Sequence, residues 1–426
     1  MTQPSRRFRG AVIALTVMAV VAAGCTSDDD DVSTGGGGGD AAETIRLGVA
    51  IPDIEAFARI NKAFDVGDQE AQINAPFDAW RDQGILPING RDVELVVRRY
   101  NILNADDKLA VCRAFAQDDE VFAVVAGRSF SEGSTCLAER FQIPVIDTDG
   151  VVRSDYERGA PYLFTVRPGL NENFVALARW ASENGFLDGA VGLFWESRLE
   201  EAVNDLKAEL SALDVDLASE ISASGEGIGT PQDKVAMQKF QADGVEVALP
   251  LVGGSSMIAI LTFAEDQGYR PQYLSTDYGT HTADVATGPY PAEQFEGMHA
   301  ITVFRVGEIA ADMELTDATT ECLDNYEAFT GETVERSFPE TGVWTNILLM
   351  CDLASIVRAG MENAGDELTK ESFVAGLEAI DGLELAGHGN VTYGPDDRGG
   401  VDEFRTVQWS GDCKCWIAQG DFRRYE

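Results

Sequence analysis

Residues 121–150 read VFAVVAGRSFSEGSTCLAERFQIPVIDTDG. The run from Val121 to Ala126 is apolar throughout and long enough for one fully buried strand. Gly127 ends it with a residue free to take a positive φ. Arg128 to Ser134 form a short loop, Thr135 to Phe141 follow a helix pattern, and Ile143 to Ile146 make a second strand. A loop leading from the carboxyl end of a parallel strand into a helix N-terminus presents unpaired N–H groups and hydroxyls, which suits a carboxylate or another anion. The stretch therefore predicts half of a small-molecule site on an α/β fold.

Upstream, Thr44 to Ile51 reads as a strand, a helix pattern carries Ala75, Phe77 and Trp80, and Val93 to Arg98 is the next strand. Ala105 to Gln117 is a helix capped by Asn104 or Asp106. This alternation means a parallel sheet covered on both faces. Downstream, after Tyr162 to Arg167, the rhythm restarts. Helix 176–183, strand 190–195, helix 200–213, a helix opened by Thr230 and Pro231, strand 245–252, helix 256–267 and strand 272–275 follow. Two αβ halves of the same order form a weak internal repeat. The roughly 380 residues involved exceed what one core usually serves, so two lobes are expected.

Ahead of the first strand, Arg6, Arg7 and Arg9, the apolar run Ala11 to Ala23 and Ala22-Ala23-Gly24-Cys25 resemble a bacterial lipoprotein signal. It predicts a signal peptide over 1–24 and lipidation at Cys25. The apolar run is shorter than the roughly 20 residues a membrane span requires. Residues 25–43, with four consecutive Asp and five consecutive Gly, read as a flexible tether reaching on the order of 25 Å. The implied address is extracytoplasmic, on the cell membrane, held by the lipid alone.

The chain carries 72 Asp and Glu against 32 Lys and Arg, a net of −40, and −43 once Arg6, Arg7 and Arg9 are removed. Such a field repels nucleic acid and anionic lipid and favours solubility. With Cys25 lipidated, six cysteines remain, for which fifteen connectivities exist. Cys112 and Cys136 sit on the two helix patterns flanking strand 121–126 and are the first expected bridge; Cys322 with Cys351 is the second. Cys413 and Cys415 lie too close for an easy bridge with each other, so their pairing stays open.

Gly84 to Leu95, GILPINGRDVEL, resembles the Gly-Ile-Asn-Gly-Arg turn and strand of extracellular solute-binding proteins of the branched-chain amino acid (leucine/isoleucine/valine-binding) type. The Gly-x-Ser-x-Ser loop at 127–131, Ile143-Pro-Val-Ile146, Tyr162 to Pro168 and Glu296-Gly297-Met298 follow in that family's order, and the likeness covers 44–426. It implies two Rossmann-like lobes with parallel sheets, the type I periplasmic-binding fold, with three interlobe crossings near 165, 297 and 385. Lobe 1 is then 44–165 plus 297–385, and lobe 2 is 166–296 plus 386–426. The resemblance also implies an ABC permease as partner and a small amino acid or amide-like ligand in the cleft.

By that resemblance Ser131, with Ser129 and Phe130 in its loop, matches the carboxylate-binding serine, although a serine here also caps a helix. Thr148 is a looser match to a second hydroxyl, or an ordinary turn residue. Asp277 stands where the family places its ammonium-binding acid, or makes an Asx turn. Tyr278, Phe130, Phe57 and Trp195 are candidate walls, or plain packing. Arg128 departs from the small residue or proline common in the family. It either clamps a second ligand carboxylate or, the reading favoured by sequence, pairs with Glu132, Asp147 or Asp149.

Enzyme readings find no support in motif. GxSxG, HExxH, a phosphate-loop lysine and GxGxxG after a strand are all missing, and His281, His299 and His388 are scattered. No metal or cofactor is expected; Asp147-Thr-Asp-Gly150 lacks the flanking ligands of a calcium loop. The function expected is solute capture for an ABC importer. A sensor on the same fold is the alternative, and a cell-surface hydrolase comes third.

Overall fold

The computed structural model describes residues 43–54, 65–223, 231–337 and 340–425. Cys25, the signal, the tether, Phe57 and Thr230 lie outside the described residues. Two sheets organise what is described. Strands β1 (Glu43–Pro52), β2 (Arg91–Tyr100), β3 (Ala123–Ala126), β4 (Val145–Asp147) and β5 (Leu163–Thr165) form a parallel sheet in the order β2-β1-β3-β4-β5. Its central strands are apolar on both faces because helices cover both, as a parallel sheet requires.

The second sheet holds β6 (Val191–Glu196), β7 (Leu217–Ala223), β8 (Val247–Leu251), β9 (Gln272–Ser275), β10 (His299–Thr302), β11 (Glu403–Ser410) and β12 (Cys415–Arg424), ordered β12-β11-β10-β9-β8-β6-β7. β6 to β10 run parallel, and β11 and β12 add an antiparallel hairpin at the edge. Mixed α/β architecture with parallel sheets is thus what the residue pattern predicts. Because β10 pairs with β9 and β11, the chain leaves this sheet after Thr302 rather than near 297.

Helix Ala105–Gln117 starts where Asn104 accepts hydrogen bonds from the Asp106 and Asp107 N–H groups. After β10 the chain returns to the first sheet. Helices Asp317–Thr330 and Gly342–Ala364 pack on Gln69–Asp82, and Phe373 from helix Lys370–Glu378 meets Phe122 edge to face. The 23-residue helix Gly342–Ala364 is apolar and long enough to cross a membrane, but most of it is buried in the protein.

Three stretches join the sheets and hydrogen-bond to one another. The Thr165 N–H donates to the Arg398 carbonyl, Gly400 to Thr165 and Val401 to Val166, each at 2.9 Å. Arg305 N–H donates to Gly387 at 3.0 Å, and Gly389 to Val303 at 2.9 Å. Residues 163–168, 303–305 and 385–401 therefore form one small ribbon between the two sheets.

Cys112–Cys136 ties helix Ala105–Gln117 to helix Ser131–Phe141, with Cα atoms 6.2 Å apart, and Cys322–Cys351 ties helix Asp317–Thr330 to helix Gly342–Ala364 at 5.9 Å. The pairing left open is closed within itself: Cys413 bonds Cys415. Lys414 between them takes φ +56°, which folds the turn back and brings the two Cα atoms to 5.2 Å. Peptide mapping without reductant should recover Cys112 joined to Cys136; a free Cys112 would contradict the structure. Removing either of the longer bridges, which span 24 and 29 residues, should cost about 3 kcal/mol and lower the urea midpoint.

Candidate functional site

Open parallel sheets hold ligands beyond the carboxyl ends of their strands. Here the two sheets present those ends to one cleft of about 1030 Å³. β3 leads into Arg128, Ser129 and Ser131; β4 into Asp149 and Gly150; β5 into Arg167. From the second sheet, β6 ends in Glu196 and leads to Arg198, β8 leads into Gly253 to Ser256, and β9 into Asp277 to Thr280.

The loop after β3 differs from expectation in its glycine. Gly127 does not take the positive φ; a Cβ there would meet Pro52 Cδ at 3.0 Å and the Ala50 carbonyl at 3.2 Å, so close approach is what calls for glycine. Ser129 takes the left-handed conformation instead, at φ +64°, and its N–H donates to Asp149 Oδ2 at 2.8 Å. Ser131 is the first residue of helix Ser131–Phe141, whose N-terminus has no side-chain cap. Its hydroxyl makes no hydrogen bond among the described residues, so the capping role is not the one it plays.

Three aromatic and hydroxyl candidates fall elsewhere. Phe130 is fully buried with its ring 4.7 Å from Tyr100, and it fills the space over Gly133, where a Cβ would lie 2.3 Å from the ring. Trp195 faces the helix side of β6: its Nε1 donates to Glu200 at 3.0 Å and the Lys207 ammonium lies 5.3 Å from its ring. Strand alternation turns the next residue, Glu196, to the cleft. Thr148, directly after β4, is buried, its hydroxyl has no partner among the described residues, and it does not line the cleft.

Asp277 and Tyr278 do line the cleft. Asp277 Oδ1 accepts from the Thr282 hydroxyl and from Thr302 at 2.5 Å, while Oδ2 accepts from the Val303 N–H at 2.6 Å. Burial pushes its carboxyl above the usual range against the opposing pull of Arg167. Tyr278 donates to Glu196 Oε2 at 2.7 Å and accepts from Arg198 at 2.7 Å. Glu196, which the sequence did not single out, also accepts from the Gly253 N–H at 2.6 Å and from Arg198 Nε at 2.8 Å. Burial opposes its charge, yet Arg198, Tyr278 and Gly253 together hold its carboxyl below the usual range.

Arg128 overturns the pairing that sequence favoured. Glu132 pairs with Lys108 at 2.9 Å, Asp149 with Arg167 at 3.1 Å, and Asp147 accepts from Ser134 Oγ at 2.6 Å. None of these acids pairs with Arg128, whose Nε is shielded from water with no acceptor among the described residues. Burial, then the nearby Arg167, lower its pKa to about 10. Arg167, a second residue that sequence reasoning passed over, lies 4.7 Å over the Phe304 ring. Its place directly after a strand end, in a crossing, was the available signal.

Behind the two arginines lies a recess of about 40 Å³ walled in part by Phe304, Trp344, Asp284 and Glu340. Burial pushes the Glu340 carboxyl up to about 8, with the neighbouring Asp284 adding to the effect. Burial likewise moves Asp284 to about 7.

A family model for periplasmic binding proteins matches residues 44–414. No curated protein matches the sequence. Among solved structures, a branched-chain amino acid ABC transporter protein from Thermus thermophilus with bound valine is 14% identical, with 90% of this chain and 97% of that one covered and a TM-score of 0.68. A possible leucine/isoleucine/valine-binding protein from Rhodopirellula baltica is 14% identical, covering 90% and 98%, with a TM-score of 0.67. A solute-binding protein of an ABC transporter from Rhodopseudomonas palustris, in complex with 3,4-dihydroxybenzoic acid, is 12% identical, covering 90% and 98%, with a TM-score of 0.65. At these identities the likeness is one of fold.

Glu340 gives a pH test. Its folded-state pKa stands above its unfolded one, so its contribution is complete at low pH and is lost as pH rises toward about 8. Glu340→Gln, which keeps an acceptor for the Gly307 N–H, should match the parent at pH 4 and exceed it by on the order of 4 kcal/mol at pH 9 in urea unfolding.

Proposed function

The chain belongs to the periplasmic binding protein family, and from that premise we propose that it is a lipid-anchored receptor that captures a small polar solute and delivers it to an ABC permease. As a family member it is a solute-binding protein and not an enzyme, and it works outside the cytoplasm. The observation that carries the proposal is a single cleft of about 1030 Å³ lined from the carboxyl ends of both sheets.

In this reading the five-stranded sheet with helices 69–141 and 317–378 is one lobe, and the seven-stranded sheet with its helices is the other. The hydrogen-bonded ribbon is the hinge. A solute that touches both lobes favours the closed arrangement by its differential contacts, and the permease reads that arrangement. Ser131, at a helix N-terminus with an unengaged hydroxyl, supplies the donor on one side, and the loops after β6, β8 and β9 supply the other. The class of solute is an amino acid or a comparable small polar molecule; valine and 3,4-dihydroxybenzoic acid in two structural neighbours are of suitable size. Lipid attachment rests on the Ala22-Ala23-Gly24-Cys25 signal and on the Asp/Gly stretch behind it.

Calorimetry against amino acids, amides and small carboxylates should find one solute bound per chain. Ser131→Ala should then weaken it by about 1.5–3 kcal/mol, the size of a hydrogen bond to a charged group; an unchanged affinity would remove Ser131 from the site. In cells, Cys25→Ser should move the protein from the membrane fraction to the soluble one. Continued membrane retention would contradict lipid anchoring.

A further inference from the structure

In a chain with 72 Asp and Glu against 32 Lys and Arg, acid partners for arginine are in excess. Arg128 and Arg140, both lining the cleft, nevertheless take no acid partner among the described residues, and of the two Arg128 is the more buried. Among the described residues the Arg128 guanidinium makes no ion pair and no hydrogen bond, and its Nε is closed off from water. The principal cleft acids, by contrast, are already engaged. Asp149 holds Arg167 and the Ser129 N–H; Glu196 holds Arg198, Tyr278 and the Gly253 N–H; Asp277 holds two threonine hydroxyls and the Val303 N–H.

Closing off one nitrogen of a half-buried guanidinium without an acceptor is costly, and the nearby Arg167 adds to the cost while Asp149 offsets part of it. Both costs fall when an anion arrives. An arginine offers a planar fork that matches a carboxylate with two parallel bonds, which a serine hydroxyl alone does not. A ligand ammonium, on the other side, would find Asp277 with its oxygens committed to neighbours that tie β9 to the hinge.

We propose that the solute is an organic anion whose carboxylate is taken by Arg128, with no ammonium group required. This rests on solute capture in the cleft and narrows it to one charge class. Asp277 then serves as a latch between β9 and the crossing at Val303 rather than as the ligand's counter-charge. Arg128, beside an Arg167 that Asp149 already holds, also sets local positive charge against the chain's net charge of −40, which by itself disfavours an anion.

The test is calorimetry on the full chain with two sets of matched probes that share a skeleton and differ in charge. One set is 4-methylpentanoate, leucine, 4-methylpentanamide and isopentylamine; the other is benzoate, benzamide and benzylamine. The carboxylate without an amine should bind at least tenfold more tightly than its amide and amine counterparts, and 4-methylpentanoate at least as tightly as leucine. Arg128→Gln should lower carboxylate affinity at least tenfold, and Arg128→Lys, which keeps the charge and loses the fork, should fall between. Preference for leucine or for an amine, or carboxylate binding unchanged in both Arg128 variants, overturns the anion assignment and leaves solute capture standing. Failure of every probe in a protein with a normal unfolding transition contradicts capture itself and takes the anion assignment with it.

Discussion

The structure depends on three chain crossings that hydrogen-bond into one ribbon. Each αβ unit could bury its own sheet, and the bonds between Thr165 and residues 398–400, Val166 and Val401, Val303 and Gly389, and Arg305 and Gly387 join the two at a shared boundary. Buried backbone groups have to find partners, and here the crossings satisfy one another. The consequence for function is geometric. Two sets of strand ends face each other across a ribbon a few residues wide, and side chains on the crossings themselves, Arg167 and Phe304, become part of the cleft wall or its recess.

The same ribbon explains the role of Asp277. Its carboxylate accepts from Thr302 at the end of β10 and from the N–H of Val303, the first residue beyond it. A residue expected from family resemblance to meet a ligand is therefore bonded to the crossing at Val303. Arg128 moves the opposite way, from a supposed partner of local acids to a cation left facing the cleft. The two reassignments are linked by charge: among the described residues the principal cleft acids are engaged and Arg128 is not, which is the basis of the proposed anion site.

Much of this architecture was legible in the residues. Alternation of apolar runs with amphipathic helices predicted the parallel sheets, Asn104 marked its helix start, and cysteines on two helices flanking a central strand predicted their bridge. What sequence could not supply was contact between distant segments. Phe130 reads as a loop aromatic, and only the open space over Gly133 and the ring of Tyr100 draw it into the core. Trp195 and Glu196 are neighbours whose faces alternate, so register decided which one meets the cleft. The acids near Arg128 in sequence are claimed by Lys108, Ser134 and Arg167, which no local pattern reveals. The hairpin of β11 and β12 lay in a stretch with no clear helix–strand rhythm, and the Cys413–Cys415 bridge at its turn depends on the backbone conformation of Lys414.

In the proposed function one solute is held between two lobes that move about the ribbon. Small-angle X-ray scattering of the chain with and without a solute shown to bind measures this most directly. A cleft of this size that closes predicts a smaller radius of gyration at saturation, with the shift following the binding isotherm. A solute that saturates the protein and leaves the scattering curve unchanged would contradict it.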